Sequence, residues 1–207
     1  MKQKVMNHIK NNWQEYASFI SMIMLIVLGL IYAFNLNNFD FNYPLAYYGG
    51  DDMGGLQDAK LFAEQGWMLS TDRMGAPYSS DIYDFSSSLL HNFGLMIMKL
   101  CVLITGNYIV GFNIYYLSIF VLAGIVSYIV MRQLKINNWV TAAMSAVYGL
   151  SPYMIARGVG HMVLVEAYFI PLSFLLCFWV MEREDVFQFN KNFFKTPANY
   201  AVLIMAA

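Results

Sequence analysis

The sequence predicts an all-α protein that crosses a membrane several times, and three observations carry that prediction. Of the 207 residues, 59% are hydrophobic and only 12% are charged, whereas an ordinary soluble domain carries about 25% charged residues. A water-soluble fold with so little charge struggles to cover its own surface, while helices facing lipid have no such need. Four segments, residues 17–34, 108–131, 139–155 and 162–181, are long and apolar enough to span the hydrocarbon core. Aromatic side chains flank the ends as headgroup-level belts do, with Trp13 and Tyr16 before the first segment and Tyr32 and Phe34 closing it. The expected architecture is therefore polytopic, with about four complete transmembrane helices.

The first segment reads as a retained anchor. It is longer than the 7–15 apolar residues of a typical signal peptide, and no small-residue cleavage site follows it. Residues 1–16 then form a cytoplasmic N-terminus carrying Lys2, Lys4 and Lys10. Residues 88–105 either cross or lie flat in the interface as an amphipathic helix, since His91, Asn92 and Lys99 interrupt their apolar run. The distribution of basic residues favours the flat arrangement. It leaves Arg132, Lys135, Arg183, Lys191 and Lys195 on the cytoplasmic side with the N-terminal lysines, and only Lys60, Arg73, Lys99 and Arg157 outside. Residues 35–107 become one outer region with interfacial helices, and residues 108–207 a bundle of further spans. The last apolar run, 200–207, reaches only about 12 Å at 1.5 Å per residue, so the chain is expected to continue. The localisation that follows is a plasma membrane, multi-pass.

The outer region is strongly acidic. Between residues 36 and 87 stand eight acidic residues against Lys60 and Arg73, a local charge of −6. A connector this long is usually functional or disordered, and its many aromatic residues argue for order. Leu56, Ala59, Lys60 and Ala63 have helical spacing, with Asp58 suited to start a short helix and Gly66 to end it.

Two clusters could carry chemistry. Residues 47–55 read Tyr-Tyr-Gly-Gly-Asp-Asp-Met-Gly-Gly, four glycines around the adjacent carboxylates Asp51 and Asp52. Glycines permit tight turns and close approach to a ligand, and neighbouring carboxylates can act as general base and cation ligand. The alternative is a glycine-rich turn with solvated aspartates. The second cluster spans Ser151, Pro152, Arg157, Gly158, Gly160, His161 and Glu166. Were the intervening piece helical, Arg157 and His161 would share a face at i, i+4 spacing and suit a phosphate. Glu166 falls about a turn into the next span, where an acidic residue is a functional candidate by default. Against this stand a snorkelling Arg157, a locally satisfied His161 and a Glu166 paired with Arg157. Lys99 would snorkel or meet an anionic lipid, and Asn113 reads as packing. Cys101 and Cys177 lie in apolar runs without metal-ligand spacing, and no basic patch supports nucleic-acid binding.

Taken together, Tyr43-Pro44, Gly50-Asp51-Asp52, Gly75-Ala76-Pro77, Gly106-Asn107, Asn113, Pro152-Tyr153, Arg157, Gly160-His161 and Pro171-Leu172 make a pattern that resembles the GT-C glycosyltransferase superfamily, and within it bacterial membrane proteins of the YfhO-like type. The resemblance implies a GT-C-like fold and transfer of a sugar from a polyprenyl-phosphate donor to a cell-envelope acceptor on the outer face. It implies a first-loop carboxylate as base, at Asp52 or Asp51, and basic groups for the lipid phosphate at Arg157 and His161, with Glu166 and Lys99 nearby. The resemblance makes no cofactor certain and leaves a divalent cation open, with Asp51 or Asp52 as its ligand. The rival reading is a transporter or flippase using Glu166, His161 and Arg157. A third is a non-catalytic assembly subunit, in which Asp51 and Asp52 tolerate asparagine.

Overall fold

The computed structural model describes residues 12–45, 52–65, 70–73, 77–81 and 89–182. In chain order the helices are α1 (Trp13–Ala33), α2 (Asp52–Gln65), α3 (Leu89–Thr105), α4 (Tyr108–Gln133), α5 (Asn138–Gly149), α6 (Pro152–Arg157), α7 (Met162–Val165) and α8 (Phe169–Glu182). Two 3-10 turns occupy Leu36–Asn38 and Val159–His161. The β-structure among the described residues is one antiparallel pair, β1 (Ser70–Thr71) with β2 (Ser80–Asp81).

Among the described residues, three segments are long and apolar enough to cross a membrane: Trp13–Ala33, Tyr108–Gln133 and Val159–Glu182. The protein is thus a helical membrane protein. The first helix begins four residues before the expected residue 17, taking Trp13 and Tyr16 into its opening turns. Residues 139–155 do not form the single expected span. The helix there stops at Gly149, about 18 Å long at 1.5 Å per residue, and α6 starts afresh at Pro152. Proline lacks the N–H that would continue the ladder, and it suits the first position of a new helix.

The chain divides into two compact units. One comprises Met1–Gly29, Phe120–Ser151 and Ala167–Ala207; the other comprises Leu30–Ile119 and Pro152–Glu166. In the first unit, small residues let helices approach closely. A Cβ on Gly124 would lie 2.2 Å from Ile26 Cδ1, and one on Gly149 would lie 2.9 Å from the carbonyl oxygen of Phe120. The buried face of α5 is Thr141, Ala142, Ser145, Ala146 and Gly149, a continuous small-residue stripe. Ser145 donates to Ser127, and Ser18 is hydrogen-bonded to Tyr128 at 2.7 Å. Large apolar side chains point outward instead: Leu28 is 59% exposed and Val147 66%. Water would penalise this inversion, but lipid favours it, because lipid-embedded helices associate through close packing and interhelical hydrogen bonds.

The second unit holds the acidic region. A tight turn at Gly106 (φ +64°) joins α3 to α4, and Asn107 caps α4 by accepting from the N–H of Ile109 at 2.9 Å. Just past the turn, a Cβ on Gly111 would meet the Val102 backbone at 2.7 Å, so α3 folds back onto α4. The fully buried Asn113 on α4 accepts from the N–H of Leu45 and donates to the carbonyls of Phe41 and Tyr43. Its expected packing role is a specific one: it ties down the segment leaving α1.

Candidate functional site

The site is built on α2. Its expected start at Asp58 moves back to Asp52, so Asp52, Gly54 and Gly55 form a helical first turn rather than a glycine-rich loop. The reason lies in packing. A Cβ at Gly55 would stand 2.9 Å from Phe112 of α4 and 3.6 Å from Met162 of α7, so the bare glycine seats the turn against both. Ala59 and Phe62 continue this buried face at i+4 and i+7. Gly54 faces open space.

That open space is a cavity of about 300 Å³ lined by Gly54, Gly55 and Asp58 on one side and by residues 159–164, including His161, on the other. Two segments about a hundred residues apart in sequence, each singled out for its residue types, therefore share one cavity. Asp58, read from sequence only as a helix start, is one of its walls. The available signal was helical spacing, because Gly54 and Asp58 lie at i and i+4.

The other expected residues fall into different places. Asp51 lies outside the described residues, and Asp52 is described by its backbone alone, as the first residue of α2. Arg157 and His161 do not share a helical face. The helix ends at Arg157, and Gly158 adopts φ 60°, ψ −164°, a conformation open essentially to glycine. The Arg157 guanidinium instead sits over the Tyr153 ring, 5.1 Å from its centroid. His161 is exposed at the end of the 3-10 turn and lines the cavity. Lys99 is half-buried on α3 and does not line the cavity.

Glu166 is only 5% exposed, and its Oε1 accepts from the Tyr115 hydroxyl. It too stands outside the cavity lining. Among the described residues there is no group of three His, Cys, Asp or Glu placed to hold a metal ion. A second cavity, of about 480 Å³ and mainly apolar, shares Val159 with the first and is otherwise bordered by Phe34, Phe39, Pro44, Tyr116 and Ile155 among others.

Fold and site together define a helical membrane protein with a glycine-lined cavity carrying a carboxylate and an imidazole. Residues 56–207 match the family described as Domain of unknown function (DUF6311), and the chain belongs to that family. No curated protein and no solved structure matches the chain.

Proposed function

We propose that the chain is part of a GT-C-type membrane glycosyltransferase, which moves a sugar from a polyprenyl-phosphate donor to a cell-envelope acceptor at the outer face of the plasma membrane, its N-terminus being cytoplasmic. One observation supports this best: Gly54, Gly55 and Asp58 of α2 share a cavity with the His161 segment. In the proposed step the acceptor hydroxyl oxygen attacks the anomeric carbon and its proton passes to a carboxylate. The bond from that carbon to the phosphate oxygen breaks, and the electron pair leaves on the lipid phosphate. A base poised at the hydroxyl and a donor at the leaving oxygen serve these two needs. Asp52 or Asp51 is the expected base, Asp58 is a third candidate through its place on the wall, and His161 is the donor to the phosphate. Arg157, stacked on Tyr153, would reach a phosphate by leaving that ring.

The test is sugar transfer from a labelled polyprenyl-phosphate donor by the full chain in membranes. One of Asp51→Asn, Asp52→Asn or Asp58→Asn is expected to lower the rate by about 10²–10⁴-fold, the usual range for losing a general base, while expression is unchanged. Indifference to all three substitutions would remove the transferase reading. It would favour the transporter or flippase, for which the burial of Glu166 within the apolar segment Val159–Glu182 speaks.

A further inference from the structure

Glu166 is costly where it stands. A carboxyl group inside a segment fit to span lipid must be compensated, and an apolar side chain could fill the same volume without that cost. The backbone around it offers little stability of its own. Val159–His161 is a single 3-10 turn, and Met162–Val165 is one helical turn with Glu166 as its C-cap at φ −67°, ψ 46°. Isolated turns of this length do not hold themselves, so side-chain contacts must fix this wall of the cavity.

Those contacts converge on one face of α4. Phe112 lies under Gly55, and Tyr115, three residues on, holds Glu166; residues at i and i+3 are neighbours on a helix surface. The opposite wall and the His161 wall are thereby referred to the same rigid helix. A third element closes the arrangement. A Cβ on Gly94 of α3 would lie 2.1 Å from Glu166 Oε1 and 2.5 Å from the Tyr115 hydroxyl, so the carboxylate fits only over a residue without a side chain.

We propose that Glu166 is a positioning residue: clasped by Tyr115 over the bare Cα of Gly94, it sets the place of the 159–165 wall, and with it His161, against α2. The effect on transfer rests on the transferase reading; the effect on the wall does not.

Two measurements on the full chain in membranes separate the two. The first needs no activity. Val163, half exposed and on the cavity wall, is replaced by cysteine after Cys101 and Cys177 are changed to alanine, and its labelling by a charged maleimide is timed. Glu166→Ala or Tyr115→Phe is expected to change that rate by at least about 5-fold, while Glu166→Gln, which keeps an acceptor for Tyr115, stays within about 2-fold of the parent. Gly94→Ala should disturb the parent in the same way but add nothing in the Glu166→Ala background, since the methyl then enters the vacated space. Labelling unchanged from the parent in Glu166→Ala and Tyr115→Phe, a glutamine variant no better than alanine, or additive effects of Gly94→Ala would each overturn the proposal. If Glu166→Ala does not fold, Tyr115→Phe decides alone.

The second measurement is kinetic. In Glu166→Ala the donor kcat/KM should fall at least about 10-fold, with kcat sharing in the loss because His161 is the donor to the leaving phosphate, while Glu166→Gln stays within about 3-fold of the parent. A kcat/KM unchanged in Glu166→Ala, or a glutamine variant as impaired as alanine, overturns the proposal. Absence of transfer by the parent itself sinks the transferase reading, and the labelling result still decides the role of Glu166.

Discussion

The two compact units are held together by different means. In the unit containing α5, Gly124, Gly149 and a stripe of alanine, serine and threonine bring backbones into contact. Beside them are hydroxyl links from Ser145 to Ser127 and between Ser18 and Tyr128, and an ion pair between Arg132 and Glu15. In the unit containing α2, cohesion comes from a few long-range polar contacts, Asn113 to the segment after α1 and Tyr115 to Glu166, and two cavities open between them. Close backbone packing closes the α5 seam, and the cavity of that unit, about 560 Å³, is lined by Asn12, Glu15, Tyr16, Phe19, Tyr128 and Ile129, none of them on α5. Point-like tethers leave two cavities among the irregular segments they hold, and one of these brings Asp58 and His161 to a common space.

That contrast can be broken by substitution. The largest effect is expected from Gly124→Leu, which drives a branched side chain into Ile26. Overpacking of this kind costs about 1–3 kcal/mol and occasionally more, read as loss of folded protein on size-exclusion chromatography or a lowered Tm in detergent. A Tm unchanged by Gly124→Leu would show that backbone proximity does not hold this unit. Next comes Asn113→Ala, which strands one N–H and two carbonyls near Leu45. Each unsatisfied group costs about 1–3 kcal/mol, and the expected readout is faster proteolysis after α1 with little change in global Tm. A purely global loss of Tm would erase the distinction between tethered and packed regions.

Smaller still is Ser145→Ala, which removes the hydroxyl link to Ser127 but keeps the small volume. Interhelical hydrogen bonds in membranes average about 0.6 kcal/mol, so Tm should barely move; a large drop would mean that the hydroxyls, not the close approach, bind these helices. The smallest is Glu64→Gln, which breaks exposed ion pairs with Arg73 and Lys60 and should change stability by less than about 1 kcal/mol.

The spans of α1 and α4 were readable because length and apolarity alone specify them. The expected span at 139–155 failed because composition counts Ser151 and Pro152 as a brief polar interruption, whereas the backbone must end a helix there. The glycine cluster misled in the other direction. Glycine is a poor helix former by propensity, yet contact with Phe112 and Met162 carries Gly55 into a helical turn. The pairing of Arg157 with His161 failed for a reason local to one residue, the backbone angles of Gly158.

The sequence by itself determined the solvent this protein folds in, the segments able to cross it, the acidic character of the region after α1 and the two clusters worth attention, because each depends on composition or on spacing within a few residues. Only the tertiary structure decided that α2 and the His161 segment share a cavity, that Asp58 is on its wall and that Glu166 is clasped by Tyr115 over Gly94. Those are contacts between residues tens to a hundred positions apart, and they are set by which helix faces pack together, which no local pattern of residue types encodes.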